Sequence, residues 1–171
     1  MSLEIKDIMV TKTITVQPET SLKDAINLMN TYEIGCLVVT KDGCPVGIVT
    51  ERDLLKKVLS NFPKLEKIKV QEVMSTPVKT GKPDTELEYA ASFMVEHRIK
   101  KLPITDEGKL VGLITLTDIL RFQPQLIKVY KIFSSDVVPT RIKKVFDYYL
   151  LLHPESRDSS PKNMPLRLQR K

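Results

Sequence analysis

Two short patterns carry the residue types that can do chemistry: Thr50-x-x-Asp53 and Thr115-x-x-Asp118. Each closes a Val-Gly-hydrophobic-hydrophobic run, Val46-Gly47-Ile48-Val49 in one case and Val111-Gly112-Leu113-Ile114 in the other. An ionised carboxylate has two acceptor oxygens and can take a pair of neighbouring hydroxyls in a bidentate, charge-assisted way. Placed where a strand gives way to a helix, Asp53 and Asp118 would stand at helix N-termini. Free N–H groups and the helix dipole favour anions at such an end. Thr50, Thr115 and Thr117 add hydroxyls beside them. The same spacing is also a capping box, with Thr as N-cap and Asp three residues on. A single copy favours the cap. Two copies after a glycine favour binding, because a cap has no need of that glycine, and the two roles can coexist.

The elements that must position these groups come from an internal repeat. At a constant shift of 65, residues 5–55 lie on 70–120 without a gap and with 17 identities in 51 positions; roughly three would arise by chance at ordinary composition. The matched pairs include Met9/Met74, Pro18/Pro83, Ala25/Ala90, Ile34/Ile99, Gly43/Gly108, Gly47/Gly112 and Asp53/Asp118. In each copy a short extended piece (Thr13-Ile14-Thr15-Val16, then Val78-Lys79-Thr80) precedes a helix. Leu22, Ala25, Ile26 and Met29 mark the first of these helices, and Leu87, Ala90, Ala91 and Met94 the second. A strand follows at Cys36-Leu37-Val38-Val39 or Leu102-Pro103-Ile104, then a turn at Asp42-Gly43 or Glu107-Gly108. The second strand and a further helix starting near Asp53 or Asp118 complete a β-α-β-β-α unit. Its apolar faces need a partner, and the other copy is the obvious one. The spacing predicts repeats over 1–60 and 70–122, a linker at 61–69, a helical extension over 123–155 and a basic tail over 156–171.

Taken as an ordered set occurring twice, these residues resemble a tandem CBS-domain pair, or Bateman module. Ile8-Met9 and Val73-Met74 at the starts contribute to the match, as do Gly47–Asp53, Gly112–Asp118 and Arg98-Ile99-Lys100-Lys101-Leu102-Pro103-Ile104. The resemblance covers roughly residues 4–122. It implies an α/β (α+β) fold in which two repeats pack sheet to sheet about a pseudo-twofold, with two clefts between them and dimerisation into a disc. It also implies an adenosine-containing regulatory ligand, with Thr50/Asp53 and Thr115/Asp118 on ribose and phosphate. The adenine would lie between apolar side chains, its edge read by main-chain groups of the strands, among Thr13, Ile14, Thr15, Ile34, Cys36, Leu37 and Ile48 in one cleft. In the other it would lie among Lys79, Thr80, Ile99, Leu102, Pro103 and Leu113.

The clefts are not equivalent. Arg98, Lys100 and Lys101 stand where the first copy has Glu33, Gly35 and Cys36. Such a basic cluster suits a phosphorylated ligand, although lysines also protect a solvated strand edge. Arg52, at the position of Thr117, either supplies phosphate charge or pairs with Glu51. The expectation is that the Asp118 cleft takes the more highly phosphorylated ligand.

Other classes find less support. There is no nucleophile–base pair, no phosphate-loop glycine run and no metal-ligand cluster, so the reading is non-enzymatic, with no required cofactor and no metal. His97 falls at a helix end and His153 beside Pro154, neither with a second ligand nearby. Two cysteines, Cys36 and Cys44, make no disulfide framework. No apolar run reaches transmembrane length, and the N-terminus lacks a signal-peptide layout, so the expected location is cytoplasmic. Residues 1–121 carry 17 basic and 17 acidic residues, whereas 122–171 carry 10 basic and 4 acidic. Within that basic end, Ile142, Val145, Phe146, Tyr149 and Leu152 share one helical face. This amphipathic segment would pack on the body or a sister subunit, or dock on the regulated protein. A third possibility is that the basic end binds nucleic acid or an anionic membrane, although its last stretch lacks aromatics for base stacking.

The expected function is therefore a homodimeric sensor of AMP, ADP or ATP acting on an unidentified regulated protein. S-adenosylmethionine or a related adenosyl ligand is the alternative, and a nucleic-acid-binding adaptor is the alternative of another class.

Overall fold

In the computed structural model, residues 2–61 and 66–126 are described, the side chains of 57–61 excepted. The predicted extension and tail, with His153, lie outside the described residues. The first repeat holds β1 (Thr15–Val16), α2 (Leu22–Thr31), β2 (Cys36–Lys41), β3 (Cys44–Thr50) and α3 (Glu51–Asn61). The second holds α4 (Leu87–Glu96), β4 (Lys101–Asp106), β5 (Lys109–Thr115) and α5 (Leu116–Phe122). A short helix α1 (Ile5–Ile8) precedes the first repeat, and a 3-10 turn, Val70–Glu72, precedes the second.

The 65-residue shift reproduces backbone geometry as well as sequence. Glu33 and Arg98, which follow α2 and α4, have φ of 51° and 54°. The β2–β3 and β4–β5 hairpins turn at Asp42-Gly43 and Glu107-Gly108, all four residues with positive φ. That is the combination a two-residue hairpin loop with the right twist requires. Both hairpins carry their register shift at matched places, Val39/Thr40 and Ile104/Thr105.

One predicted element differs. The extended piece at Val78-Lys79-Thr80 forms no strand. Its pairing shrinks to a single parallel bridge one residue later, with the Gly81 N–H on Pro103 O at 2.9 Å and the Thr105 N–H on Gly81 O at 2.9 Å. Pro103 has no N–H to carry the parallel ladder back towards Lys79. The first copy has Val38 at that position, and there β1 pairs with β2 over two residues.

Each repeat is completed by the segment that leads into the other. Ile5 is fully buried in the second core with Leu87, Met94, Leu102 and Ile119. Its amide donates to Thr85 O at 2.9 Å, and Val10 bridges to Leu113. Reciprocally, Ile68 and Val70 belong to the first core with Leu22, Leu37 and Val49. The Val70 amide donates to Thr20 O at 2.9 Å, and Ser75 bridges to Ile48. Ile5 matches Val70, Val10 matches Ser75 and Leu113 matches Ile48, so the exchange obeys the pseudo-twofold. Strand β3 packs against β4 and β5, which brings the two sheets together.

Candidate functional site

Strand alternation decides which predicted residues reach the seam between the repeats. Val38 pairs with Ile48 and Cys36 with Thr50, so these four side chains share one face of the first sheet. Pro103 pairs with Leu113 and Lys101 with Thr115, giving the same face in the second. Leu37 and Leu102 point the other way. They are 0% and 1% exposed in the two hydrophobic cores, so neither side chain lines a cleft. Ile14, Ile34 and Ile99 are half-buried against the core edges. Thr13 is half-buried, and Thr15, Lys79 and Thr80 are exposed.

Both Thr–Asp pairs form the predicted helix caps. The Thr50 hydroxyl and the Thr50 amide both donate to Asp53 Oδ2, at 2.6 and 2.9 Å. Thr115 caps α5 by accepting from the Asp118 amide at 3.1 Å and donating to Asp118 Oδ2 at 2.6 Å. Arg121 Nη1 lies 3.8 Å from Asp118 Oδ1. Capping does not consume the carboxylates. Each holds its cap through one oxygen and has further lone-pair positions, and each is half-buried at the start of a helix. The upstream glycines serve the seam. A Cβ on Gly112 would stand 2.6 Å from Met9 Sδ, and one on Gly47 would overlap Met74 Sδ. Each methionine of a leading segment thus lies over the other repeat's glycine.

Charge gathers at the same seam from both repeats. Lys101 Nζ reaches across to donate to Gly35 O at 2.5 Å, a carbonyl that also receives the Glu51 amide at 3.3 Å. The Glu51 carboxylate stands over Gly35 beside the Lys101 ammonium. Lys100 has its pKa lowered, first by burial and then by the charges of Arg52 and Lys101. Arg52 from the first repeat and Lys100 and Lys101 from the second are therefore electrostatic neighbours. Next to Lys101, the Cys36 thiol is pushed up by burial, an effect that Lys101 opposes and Glu51 reinforces. Arg98 sits exposed in its turn after α4, and among the described residues no contact ties it to this cluster. Thr117 is half-buried in the first turn of α5.

Sequence reasoning did not single out the Gly35 carbonyl as a site group, or place Glu51 over it. A backbone acceptor leaves no signature in side-chain type. His97 ends α4 as predicted, its Nδ1 3.0 Å from Phe93 O and its ring on Phe93 with centroids 4.2 Å apart. Among the described residues no group of three or more His, Cys, Asp or Glu could hold a metal ion.

Two matched repeats, β-α-β-β-α in the first and α-β-β-α in the second, with exchanged leading segments and a Thr–Asp cap in each, define a tandem-repeat module. The CBS domain family matches residues 5–60 and 70–124, and the chain belongs to that family. It is 35% identical over 115 residues to the CBS domain-containing protein YhcV of Bacillus subtilis, covering 67% of this chain and 81% of that one. The curated relatives vary in length. The chain spans only 22% of an inosine-5'-monophosphate dehydrogenase of Methanocaldococcus jannaschii to which it is 40% identical. Among solved structures, the CBS domain pair of protein MJ0100 in complex with 5'-methylthioadenosine and S-adenosyl-L-methionine is 27% identical. It superposes with a TM-score of 0.65 over 73% of this chain and 98% of that one. CBSX2 in complex with AMP is 28% identical, with a TM-score of 0.61 over 72% and 98%. Among the described residues no helix is long and apolar enough to cross a membrane.

Proposed function

We propose that the chain is a non-enzymatic regulatory module that binds a phosphorylated adenosine (AMP, ADP or ATP) at the seam between its repeats. Asp53 and Asp118 accept the ribose hydroxyls, and Thr50 and Thr115 hold those carboxylates in place. Cys36, Ile48, Pro103 and Leu113, on the seam faces of the sheets, border the adenine. The observation that carries this reading is the convergence of Arg52, Lys100 and Lys101 from two repeats beside the Thr–Asp caps. Three neighbouring cations repel one another, so an anion between them gains Coulomb energy and opposes the lowering of the Lys100 pKa. A sulfonium ligand adds a positive charge to the same place. This argues for a phosphorylated ligand over S-adenosylmethionine, with an uncharged adenosyl thioether between them.

The solved CBS pairs bound to AMP and to adenosyl ligands support the adenosine part of the reading. Arg52 comes from the first repeat, so the cluster is a shared feature of the seam, and the preference of the Asp118 cleft for more phosphate rests on Lys100 and Lys101. The module works as a cytoplasmic homodimer, with exposed Leu55 on α3 and Phe122 on α5 as its contact side chains, and it passes the ligand state to a regulated protein.

The test is a calorimetric series of ATP, ADP, AMP, 5'-methylthioadenosine and S-adenosylmethionine against wild type, Arg52→Gln and Lys100→Gln. Affinity should fall along that order, and each variant should compress it. An order that favours S-adenosylmethionine, or variants that leave it unchanged, would remove the phosphate reading.

A further inference from the structure

Two carbonyls at the seam hold matched places but have unequal partners. Gly35 O, just before β2, accepts the Glu51 amide at 3.3 Å, and Lys100 O, just before β4, accepts the Leu116 amide at 2.9 Å. The 65-residue shift relates Gly35 to Lys100 and Glu51 to Leu116. A carbonyl oxygen has two lone pairs. On Gly35 the second is taken, because Lys101 Nζ crosses from the other repeat to donate to it at 2.5 Å. On Lys100 it is open. The residue matched to Lys101 is Cys36, whose short side chain carries only a weak donor, and among the described residues no side chain donates to Lys100 O. The flanking side chains repeat the contrast. A Cβ on Gly35 would stand 3.0 Å from Glu51 Oε2 and 3.3 Å from Lys101 Nζ, so the carboxylate and the ammonium both lie against that residue. The counterpart of Glu51, Leu116, is 1% exposed in the second core and brings no charge to the seam.

An adenine seated on either sheet face, as in the function proposed above on which this step rests, presents its exocyclic amine as a hydrogen-bond donor. It needs an acceptor at the seam. In the second cleft the Lys100 carbonyl has a lone pair to give. In the first cleft the Gly35 carbonyl is saturated, and the group to be displaced is an ammonium. A charge-assisted bond of that kind is roughly twice as strong as the neutral one an adenine amine would put in its place, and the Glu51 carboxylate beside the ammonium opposes its departure. We infer that the two clefts fill in order, the Asp118 cleft first and the Asp53 cleft only when Lys101 withdraws from Gly35 O. Lys101 thus sets the occupancy of the opposite repeat's cleft by standing where an adenine amine would donate. Its matched residue, Cys36, leaves the Lys100 carbonyl open.

Calorimetric titration of 5'-methylthioadenosine into the full chain tests this, because an uncharged probe separates the acceptor from the phosphate charge. Wild type, Asp53→Ala, Asp118→Ala and Lys101→Met are compared; Lys101→Met keeps an apolar stem and removes the ammonium. Wild type should take one molecule per chain tightly and a second at least about tenfold more weakly. Asp118→Ala should weaken the tight phase and Asp53→Ala the weak one. Lys101→Met should bring the two affinities together by tightening the weak phase. Equal affinities in wild type, a tight phase that is lost in Asp53→Ala instead, or a weak phase indifferent to Lys101→Met would overturn the order of filling while leaving adenosine binding intact. A wild type that binds neither 5'-methylthioadenosine nor AMP would instead overturn the proposed function, and the order of filling with it.

Discussion

Truncating Ile5 should damage a repeat that lies more than sixty residues away in sequence. Ile5 is fully buried among second-repeat side chains, and its neighbours in the chain bond to Pro83 and Leu113. Ile5→Ala removes the equivalent of three methylenes, about 2.4 kcal/mol at roughly 0.8 kcal/mol each. The unfilled volume raises the cost to about 3–4 kcal/mol, a large share of a typical domain's 5–15 kcal/mol. The matched truncation, Val70→Ala, removes the equivalent of two methylenes and should cost about 2 kcal/mol, in the first repeat. Urea denaturation gives the totals, and hydrogen exchange gives the place. Ile5→Ala should speed exchange over α4, β4 and α5 more than over α2 and β2, and Val70→Ala should do the reverse. A cost under about 1 kcal/mol for Ile5→Ala, or loosening confined to α2 and β2, would refute the exchange of leading segments.

Two further outcomes follow from the seam. Gly112→Ala should destabilise more than Gly47→Ala, since its Cβ meets the Val10 carbonyl at 3.1 Å as well as the Met9 side chain, whereas the three atoms nearest a Cβ on Gly47 all belong to the flexible Met74 side chain; paired thermal melts decide, and equal or reversed losses would contradict the packing. Burial raises the Cys36 thiol above its ordinary 9.0, so at pH 8 iodoacetamide should label half-buried Cys44 well before Cys36, as read by peptide mass spectrometry. A group with a raised folded-state pKa contributes its stability below the unfolded value and loses it as pH rises through the folded one. Stability should therefore fall above about pH 9, and less steeply in Cys36→Ala; equal slopes would show that the Cys36 thiol does not drive the loss.

What could be read in the sequence, and what could not, divides along a physical line. A shift of 65 with identical residues at turns and strand ends specifies two copies of one unit, because Gly43/Gly108 and Gly47/Gly112 answer to backbone needs that recur with the fold. The Thr–Asp caps were equally legible, being local in sequence. The exchange of leading segments was not. Ile5 and Val70 are both apolar and occupy matched positions, so periodicity shows that each is buried without showing in which copy. Alternation along β2 and β4 turns the Leu37 and Leu102 side chains into the cores, which leaves their main-chain groups, the ones the resemblance implies for the adenine edge, as what they can offer a ligand. The lone bridge at Gly81 follows from the amide missing at Pro103, which composition alone does not flag. The meeting of Arg52 with Lys100 and Lys101 depends on how two repeats pack, and no single repeat encodes it.

The most direct test of the central claim is calorimetric titration of AMP and 2',3'-dideoxy-AMP into wild type and the Asp53→Ala/Asp118→Ala variant. Charge-assisted hydrogen bonds of this kind are worth about 1.5–3 kcal/mol, which corresponds to roughly 10- to 150-fold in affinity. Wild type should bind AMP more tightly than the dideoxy compound by that factor, and the double variant should bind both equally weakly. A wild type indifferent to the ribose hydroxyls, or a double variant with undiminished AMP affinity, would contradict the assignment of Asp53 and Asp118 as the ribose-binding pair.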